Sequence, residues 1–316
     1  MPKRKVLFLD RAHPYLWNKL QSLGYDCQVD IESDYAAATA KISDYYGIVM
    51  RSRISIGKEL IDQASQLAFI AREGVGTEHI DVAYAEQKGI QVITSPEGSR
   101  DTVGEHAMGL LLCLMNNLAR ADRQVKAGQW IREGNRATEI KGKTVGIIGY
   151  GNMGTAFAQR LSGFECTVIA YDKFKTNYGD QYAKAVDLNT LFHESDIISL
   201  HIPYFPENRH FVNDAFISCF RKNIYVVNTA RGLVLETAGL VKHLKTGKVL
   251  GAALDVLEYE ESSFEFMKFE QMPPAFRYLT EAPNVVLSPH IAGWSFESKE
   301  GHARTLGEKI EAGFSY

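Results

Sequence analysis

Cysteine is scarce in this chain of 316 residues: Cys27, Cys113, Cys166 and Cys219 stand singly. None has a neighbour at metal-ligand spacing, and four scattered thiols do not make the framework of a small disulfide-stapled scaffold. No metal is expected, and lone thiols in apolar surroundings suit a reducing compartment. A basic excess is missing too. Lys and Arg number 35 against 38 Asp and Glu, a formal net charge of −3, so no nucleic-acid partner is expected. The run Lys3-Arg4-Lys5 is short and reads as a solvated chain end. Long apolar runs are also absent. Val6-Leu7-Phe8-Leu9 stops at Asp10, too soon for a signal-peptide core, and the longest run, residues 107–115, is too short to span a bilayer. A cytoplasmic protein with no membrane partner is the expectation. Repeats, low-complexity tracts and Gly/Ser linkers are lacking, which excludes solenoids and tethered modules.

What the chain does have is alternation. Short apolar runs at residues 5–9, 27–31, 48–50, 67–71 and 91–94 read as buried strands with helical stretches between them, the first at 14–23. A second series of strand candidates covers 143–148, 166–171, 196–201, 224–228, 249–254 and 285–288. Strands alternating with helices predict α/β architecture, two domains each built on a parallel sheet flanked by helices. With 45% hydrophobic residues the chain is long enough for two cores. Between the two series, residues 101–126 carry one long helical pattern with a very apolar middle. A helix apolar on most sides is expected to be buried in an interface between domains or subunits. Residues 256–283 break the rhythm as a long acidic connection, and an amphipathic helix at 297–312 closes the chain.

The segment Gly149-Tyr150-Gly151-Asn152-Met153-Gly154 has the G-x-G-x-x-G pattern, weak alone but here placed between an apolar strand and a helical stretch. Gly149 permits a tight turn, Gly151 lets a pyrophosphate approach the backbone, and Gly154 allows close helix–strand packing. N–H groups at the helix start then hold the phosphates. The next strand ends at Asp172, about twenty residues on, where a carboxylate bonds the adenosine ribose and repels a 2′-phosphate. NAD is therefore expected over NADP, with Lys173 and Lys175 nearby leaving NADP open.

Three later strand ends each deliver a charged or titratable group: Arg231, Glu260 and His290. Ligands of open α/β sheets bind outside the carboxyl ends of strands, so these three converge despite their separation in sequence. The set suits a carbonyl/alcohol redox reaction. A histidine titrates near neutral pH and exchanges the hydroxyl proton, a carboxylate orients the imidazole, and a guanidinium grips a carboxylate and polarises a carbonyl.

These residues stand in motifs, and the chain from about 45 to 295 resembles the D-isomer-specific 2-hydroxyacid dehydrogenases. Besides the glycine turn, Gly104-Glu105-His106, Ser199-Leu200-His201-Ile202-Pro203, Asn228-Thr229-Ala230-Arg231-Gly232, Ala253-Leu254-Asp255-Val256 and Ser288-Pro289-His290-Ile291-Ala292-Gly293 are similar to family signatures. The resemblance implies a Rossmann dinucleotide-binding domain, residues 99–291, inserted in a discontinuous flavodoxin-like substrate domain, residues 1–98 and 292–316. It implies that Arg231 binds and polarises substrate, Glu260 supports the histidine and His290 is the acid/base. Asp255 would hold the nicotinamide carboxamide, and Thr102, Ile202, Pro203, Thr229 and Ala230 would join the glycine turn around NAD. The loop Ala71-Arg72-Glu73-Gly74-Val75-Gly76-Thr77 would bind the substrate carboxylate through the N–H groups of Val75 and Gly76, beside Arg51 and Ser52. The helix from Thr102 would serve a homodimer contact.

The chain departs from the family where Glu261 replaces the usual Pro after the catalytic Glu, and where Tyr204-Phe205 replaces a common Leu-Thr. Met50-Arg51-Ser52-Arg53 is similar to the phosphoglycerate dehydrogenase branch. Two cations there would suit a phosphate, so 3-phosphoglycerate leads the expected 2-hydroxy acids, with hydroxypyruvate or glyoxylate as alternatives. A non-catalytic NAD sensor of the corepressor type, or a formate- or phosphite-type dehydrogenase, stays open as a rival.

Overall fold

The computed structural model describes residues 3–260 and 272–314. The chain divides into two units, Met1–Ser99 with Trp294–Tyr316, and Arg100–Gly293.

The first unit is a five-stranded sheet of β1 (Lys5–Phe8), β2 (Asp26–Val29), β3 (Gly47–Met50), β4 (Phe69–Arg72) and β5 (Gln91–Thr94). Every pairing is parallel and the strand order is β2-β1-β3-β4-β5, the flavodoxin-like winding. Its helices are α1 (Pro14–Ser22), α2 (Tyr35–Lys41), α3 (Lys58–Gln63) and α4 (Val82–Gln87). Alternation of side chains along each strand separates two cores. Leu7, Leu9, Ile48, Met50 and Ile70 pack with Ile42, Leu60, Ile61 and Ala85 on one face. Val6, Phe8, Val49, Phe69 and Ala71 pack on the other with Leu16 and Leu20 of α1 and with Ala303, Leu306 and Ile310 from the last helix.

The second unit opens with α5 (Arg100–Met115) and α6 (Leu118–Lys126). Its sheet holds β6 (Thr144–Ile148), β7 (Thr167–Tyr171), β8 (Lys184–Ala185), β9 (Ile197–Leu200), β10 (Ile224–Asn228), β11 (Val249–Leu254) and β12 (Val285–Leu287). The order is β12-β11-β10-β9-β6-β7-β8, all parallel. The winding reverses between β6 and β9, which opens a crevice at the carboxyl edge there. Helices α7 (Asn152–Leu161), α8 (Leu188–Glu194), α9 (Asp214–Ser218), α10 (Thr237–Thr246) and α11 (Pro274–Glu281) connect the strands, and α12 (Phe296–Phe314) returns to the first unit. Among the described residues no helix is long and apolar enough to cross a membrane.

Three expectations are corrected. The pattern 101–126 is two helices, because Asn117 takes the left-handed conformation (φ 56°), which asparagine tolerates through its short polar side chain. The apolar face of α5 is buried inside its own unit. It crosses α7 so closely that a Cβ on Gly104 would lie 2.9 Å from the Ala156 carbonyl carbon, and its leucines join the core under β6 and β11. α6, in contrast, buries no residue. The 256–283 connection is not all loop, since α11 forms in it with Pro273 and Pro274 at its start. Proline fits there because the first helical N–H groups have no intrahelical acceptor. The acidic residues Glu261, Glu265 and Glu270 of that connection lie outside the described residues.

Candidate active site

The glycine turn leaves β6 with Gly149 at φ 92°, and its N–H donates to Tyr171 O at 2.8 Å. A Cβ at Gly149 would stand 2.6 Å from His201 O and 2.7 Å from Ile202 Cγ2, and one at Gly154 would stand 2.1 Å from Gly149 O. Both positions admit glycine alone. A Cβ at Gly151 would meet nothing within 4 Å. Gly151 is the N-cap of α7 and offers no side-chain cap, so the first N–H groups of α7, beginning at Asn152 and Met153, face a cradle without a protein acceptor from that cap. Such an uncapped helix start takes an anion through its N–H groups and dipole. A buried hydroxyl just past β10, Thr229 Oγ1, also lacks a hydrogen-bond partner among the described residues. These features fit a dinucleotide.

Asp172, just past β7, turns its carboxylate back to the turn. Oδ2 accepts the Tyr150 N–H at 2.9 Å and Oδ1 the Phe174 N–H at 3.0 Å. Lys175 Nζ donates to Tyr150 O at 2.6 Å, so this cation is tied to the turn, while Lys173 lies over the Phe174 ring at 5.6 Å. Behind the turn, His201 is half-buried. Its Nε2 is 2.8 Å from Ser199 Oγ, its ring lies 5.5 Å from that of Phe157, and desolvation pushes its pKa down to about 3. Pro203 O accepts from Asn208 Nδ2 at 2.9 Å, and Phe205 is half exposed. Thr102 stands in the first turn of α5.

At the other strand ends the loops are set by side chains that bond their backbones. Asn228 Oδ1 accepts the Ala230 N–H at 3.0 Å and Nδ2 donates to Arg231 O at 3.1 Å. Arg231 Nη1 donates to Ala230 O at 2.7 Å. The next residue, Gly232, is pressed so hard on the loop after β11 that a Cβ would fall 1.9 Å from Leu257 O. The Arg231 loop thus abuts the segment that carries Glu260. That carboxylate accepts the Leu257 N–H through Oε1, and its Oε2 lies 2.6 Å from His290 Nδ1. His290 itself has φ 53°, a left-handed backbone rare for a residue with a side chain.

Asp255 is bonded to the loop after β12. Its side chain has no exposed surface. Oδ1 accepts from Ser288 Oγ and from the Ile291 N–H at 3.0 Å, and Oδ2 accepts the Ala292 N–H at 2.7 Å. Burial alone would raise this carboxyl; hydrogen bonds from His106, Ser288 and the two N–H groups outweigh it and hold the pKa below the usual value. The carboxylate is turned into the loop that carries His290, because those N–H groups need an acceptor inside the unit.

In the first unit, Gly74 has φ 152°, and its N–H lies 3.1 Å from Ser95 Oγ. His302 of α12 pins Ser95, with Nδ1 2.8 Å from Ser95 O. Val75 is partly exposed next in this loop. The Arg51 N–H donates to Asp10 Oδ2 at 2.6 Å, its guanidinium lies over the Trp294 ring at 5.9 Å, and its Nε is 3.9 Å from the buried Glu73 carboxylate. Burial raises the Glu73 pKa against the Arg51 charge. Ser52 is half buried beside it. Arg53 is not a second phosphate cation. Its guanidinium donates to Leu9 O at 2.9 and 2.7 Å, to Ser33 O at 2.5 Å and to Asp30 O at 2.9 Å. Those carbonyls end β1 and follow β2, where they have no ladder partner, and the cation is committed to them.

Sequence reasoning assigned no work to His106 or Ser288, nor to a second imidazole–carboxylate pair, His210 Nε2 to Glu258 Oε1 at 2.7 Å. His106 and Ser288 stood inside recognisable motifs, but nothing in their spacing shows that they meet.

A doubly wound sheet with an open glycine turn and an oriented imidazole at its carboxyl edge defines a dinucleotide-linked oxidoreductase. Residues 108–292 match the family model described as D-isomer specific 2-hydroxyacid dehydrogenase, NAD binding domain. Hydroxypyruvate reductase from Thermotoga maritima is 38% identical over 263 residues, 83% of each chain. D-3-phosphoglycerate dehydrogenase from Archaeoglobus fulgidus is 32% identical over 308 residues, covering 97% of this chain and 56% of that longer protein. Among solved structures, D-lactate dehydrogenase from Aquifex aeolicus, complexed with NAD and lactic acid, superposes with a TM-score of 0.81 at 27% identity, over 98% of this chain and 95% of that one. The chain belongs to the D-isomer specific 2-hydroxyacid dehydrogenases, oxidoreductases acting on CH–OH groups with an NAD-binding domain.

Proposed function

We propose that the chain interconverts a short D-2-hydroxy acid and its 2-oxo acid with NAD, and that His290, Glu260 and Arg231 carry the reaction. The observation that supports this reading best is the 2.6 Å contact from His290 Nδ1 to Glu260 at the carboxyl edge of the nucleotide sheet. With Nδ1–H donating to the carboxylate, Nε2 is left for proton exchange with the substrate oxygen. In oxidation Nε2 takes the hydroxyl proton and Glu260 stabilises the imidazolium; in reduction Nε2 returns that proton to the carbonyl oxygen. Arg231 grips the substrate carboxylate and polarises the carbonyl. A bound nicotinamide supplies or accepts the hydride at the substrate carbon. Gly149, Gly151, Asn152, Met153 and Gly154 hold the pyrophosphate in this reading, Asp172 the ribose, and Thr102, Ile202, Pro203, Thr229 and Ala230 the remaining surface. Val75 and Gly76 N–H groups, with Arg51 and Ser52, bind the acid's polar ends.

Arg53 is committed to backbone carbonyls, so Arg51 is the cation of that pair left for a distal group. This favours a small C3 substituent, as in hydroxypyruvate, or none, as in glyoxylate, over the phosphate of 3-phosphoglycerate. The Asp172 carboxylate and the tied Lys175 favour NAD over NADP. The reading includes a cytoplasmic homodimer: α6 leaves Leu118 and Val125 exposed, with Trp130 and Ile131 beyond it, a face that a second copy would cover.

The test is a panel of hydroxypyruvate, glyoxylate and phosphohydroxypyruvate with NADH or NADPH, followed by nicotinamide absorbance. Turnover with an unphosphorylated acid and NADH supports the reading, and a preference for the phosphorylated acid removes the substrate assignment. Tight NADH binding with no turnover of any 2-oxo acid would make the protein a sensor.

A further inference from the structure

His106 lies on the second turn of α5. Its Nε2 is 3.1 Å from Ser288 Oγ and 3.4 Å from Asp255 Oδ1. Ser288 Oγ donates its hydrogen to Asp255 Oδ1, which leaves the Ser288 lone pairs to accept from an imidazole N–H. Asp255 in turn accepts the backbone N–H groups of Ile291 and Ala292 through its carboxylate, and its own carbonyl accepts the His290 N–H at 2.7 Å. The three residues that follow Pro289 are thus all hydrogen-bonded to Asp255.

His290 holds φ 53° in the middle of this loop. A residue with a side chain keeps that conformation only where its surroundings impose it. Ser288 and Asp255 belong to the strand ends themselves, whereas His106 reaches them from a helix. We propose that His106 is a positioning residue: its Nε2–H fixes the Ser288 hydroxyl, which fixes the Asp255 carboxylate, which holds the backbone of the His290 loop so that the imidazole meets Glu260. The bonds of His106 run to Ser288 and Asp255. The inference rests on the assignment of His290 as acid/base.

The experiment compares His106→Leu, His106→Gln and Ser288→Ala in the full chain, with His290→Ala alongside and hydroxypyruvate and NADH as probes. Leucine fills the space without a donor, whereas the glutamine amide reaches about as far and donates. H106L is expected to lose about tenfold in kcat, the scale of a displaced catalytic group, with KM and the NADH dissociation constant within about twofold of the parent. H106Q is expected to recover most of that loss. S288A, which removes the relayed hydroxyl, is expected to lose kcat alone as H106L does, and it decides the matter if H106L fails to fold. Full kcat in H106L or S288A overturns the proposal. So does a glutamine variant as slow as the leucine one, or a parallel loss of NADH affinity. If His290→Ala keeps its turnover, the functional reading itself falls; if that variant is inactive while H106L is unimpaired, only the positioning role falls.

Discussion

Replacing Glu260 by glutamine gives the strictest test of the paired imidazole. The carboxylate accepts two donors, the Leu257 N–H at Oε1 and the His290 Nδ1–H at Oε2. A glutamine has one acceptor oxygen and one amide nitrogen that only donates. If the oxygen faces His290, the amide nitrogen opposes the Leu257 N–H. If it faces Leu257, the imidazole must carry its proton on Nε2, the wrong tautomer for a base. The charge is lost in either case. Unit charges about 4 Å apart attract by about 4 kcal/mol at an effective dielectric of about 20. The two side chains are 25% and 21% exposed, and solvent screening removes about half of that attraction. About 2 kcal/mol of imidazolium stabilisation should disappear from the transition state of hydroxy-acid oxidation, about 30-fold in kcat, and more where the tautomer is wrong. The assay is NADH appearance under saturating substrate, with NADH affinity and thermal unfolding as controls. A variant within threefold of the parent, folded and binding NADH normally, would refute the claim that Glu260 supports the histidine.

Arg53→Met should lower stability by about 1–2 kcal/mol, because its guanidinium serves carbonyls at Leu9, Asp30 and Ser33, yet leave KM unchanged; Arg51→Met should do the reverse, and equal KM effects would restore the two-cation site. Gly154→Ala places a Cβ 2.1 Å from Gly149 O, so NADH titration should show weakened binding and urea unfolding a loss of about 1–3 kcal/mol; unchanged values would mean that the turn is not rigid there. His201 is half-buried, and desolvation pushes its pKa from 6.5 down to about 3. The unfolded chain therefore takes up a proton that the folded chain refuses. This contribution to stability is full above about pH 6.5 and falls by up to about 1.4 kcal/mol per pH unit as pH drops towards 3. Urea unfolding of His201→Asn should lack that component of the slope; an identical acid slope in both proteins would rule it out.

The layers were legible because buried parallel strands read as apolar runs with turn residues between them. Strand β8 was not, since two residues, Lys184 and Ala185, at a sheet edge carry no periodicity. The break between α5 and α6 was hidden for a similar reason: Asn116 and Asn117 interrupt a helical pattern by only two positions, and the left-handed turn is a property of the backbone. At the site, the types of residue were readable and their bonds were not. Arg53 and Arg51 are the same residue two positions apart on the same loop, yet one bonds the carbonyls of neighbouring strand ends and the other lies over Trp294. Their difference is set by which carbonyls lack partners, a fact of the assembled sheet.

The same logic explains why acidic residues at strand ends were read as ligand groups. A parallel sheet delivers every loop to one edge, and each loop brings N–H groups that no ladder satisfies. Asp10 accepts from Arg51 N–H, Asp30 from Ser33 N–H, Asp172 from Tyr150 N–H, Asp255 from Ile291 and Ala292 N–H, and Glu260 from Leu257 N–H. Except for the Ser33 and Leu257 bonds, each of these links reaches a loop from a different strand, and the carboxylate is the clamp. An edge built this way binds its own loops first and meets a ligand with the oxygens that remain. Asp172 and Glu260 keep part of their surface open, and they are the two that the proposed chemistry uses directly. Asp255 keeps none, and its influence passes through the backbone of His290. The degree of exposure at a strand end, more than the identity of the acid there, separates a carboxylate that touches a ligand from one that holds the residue that does.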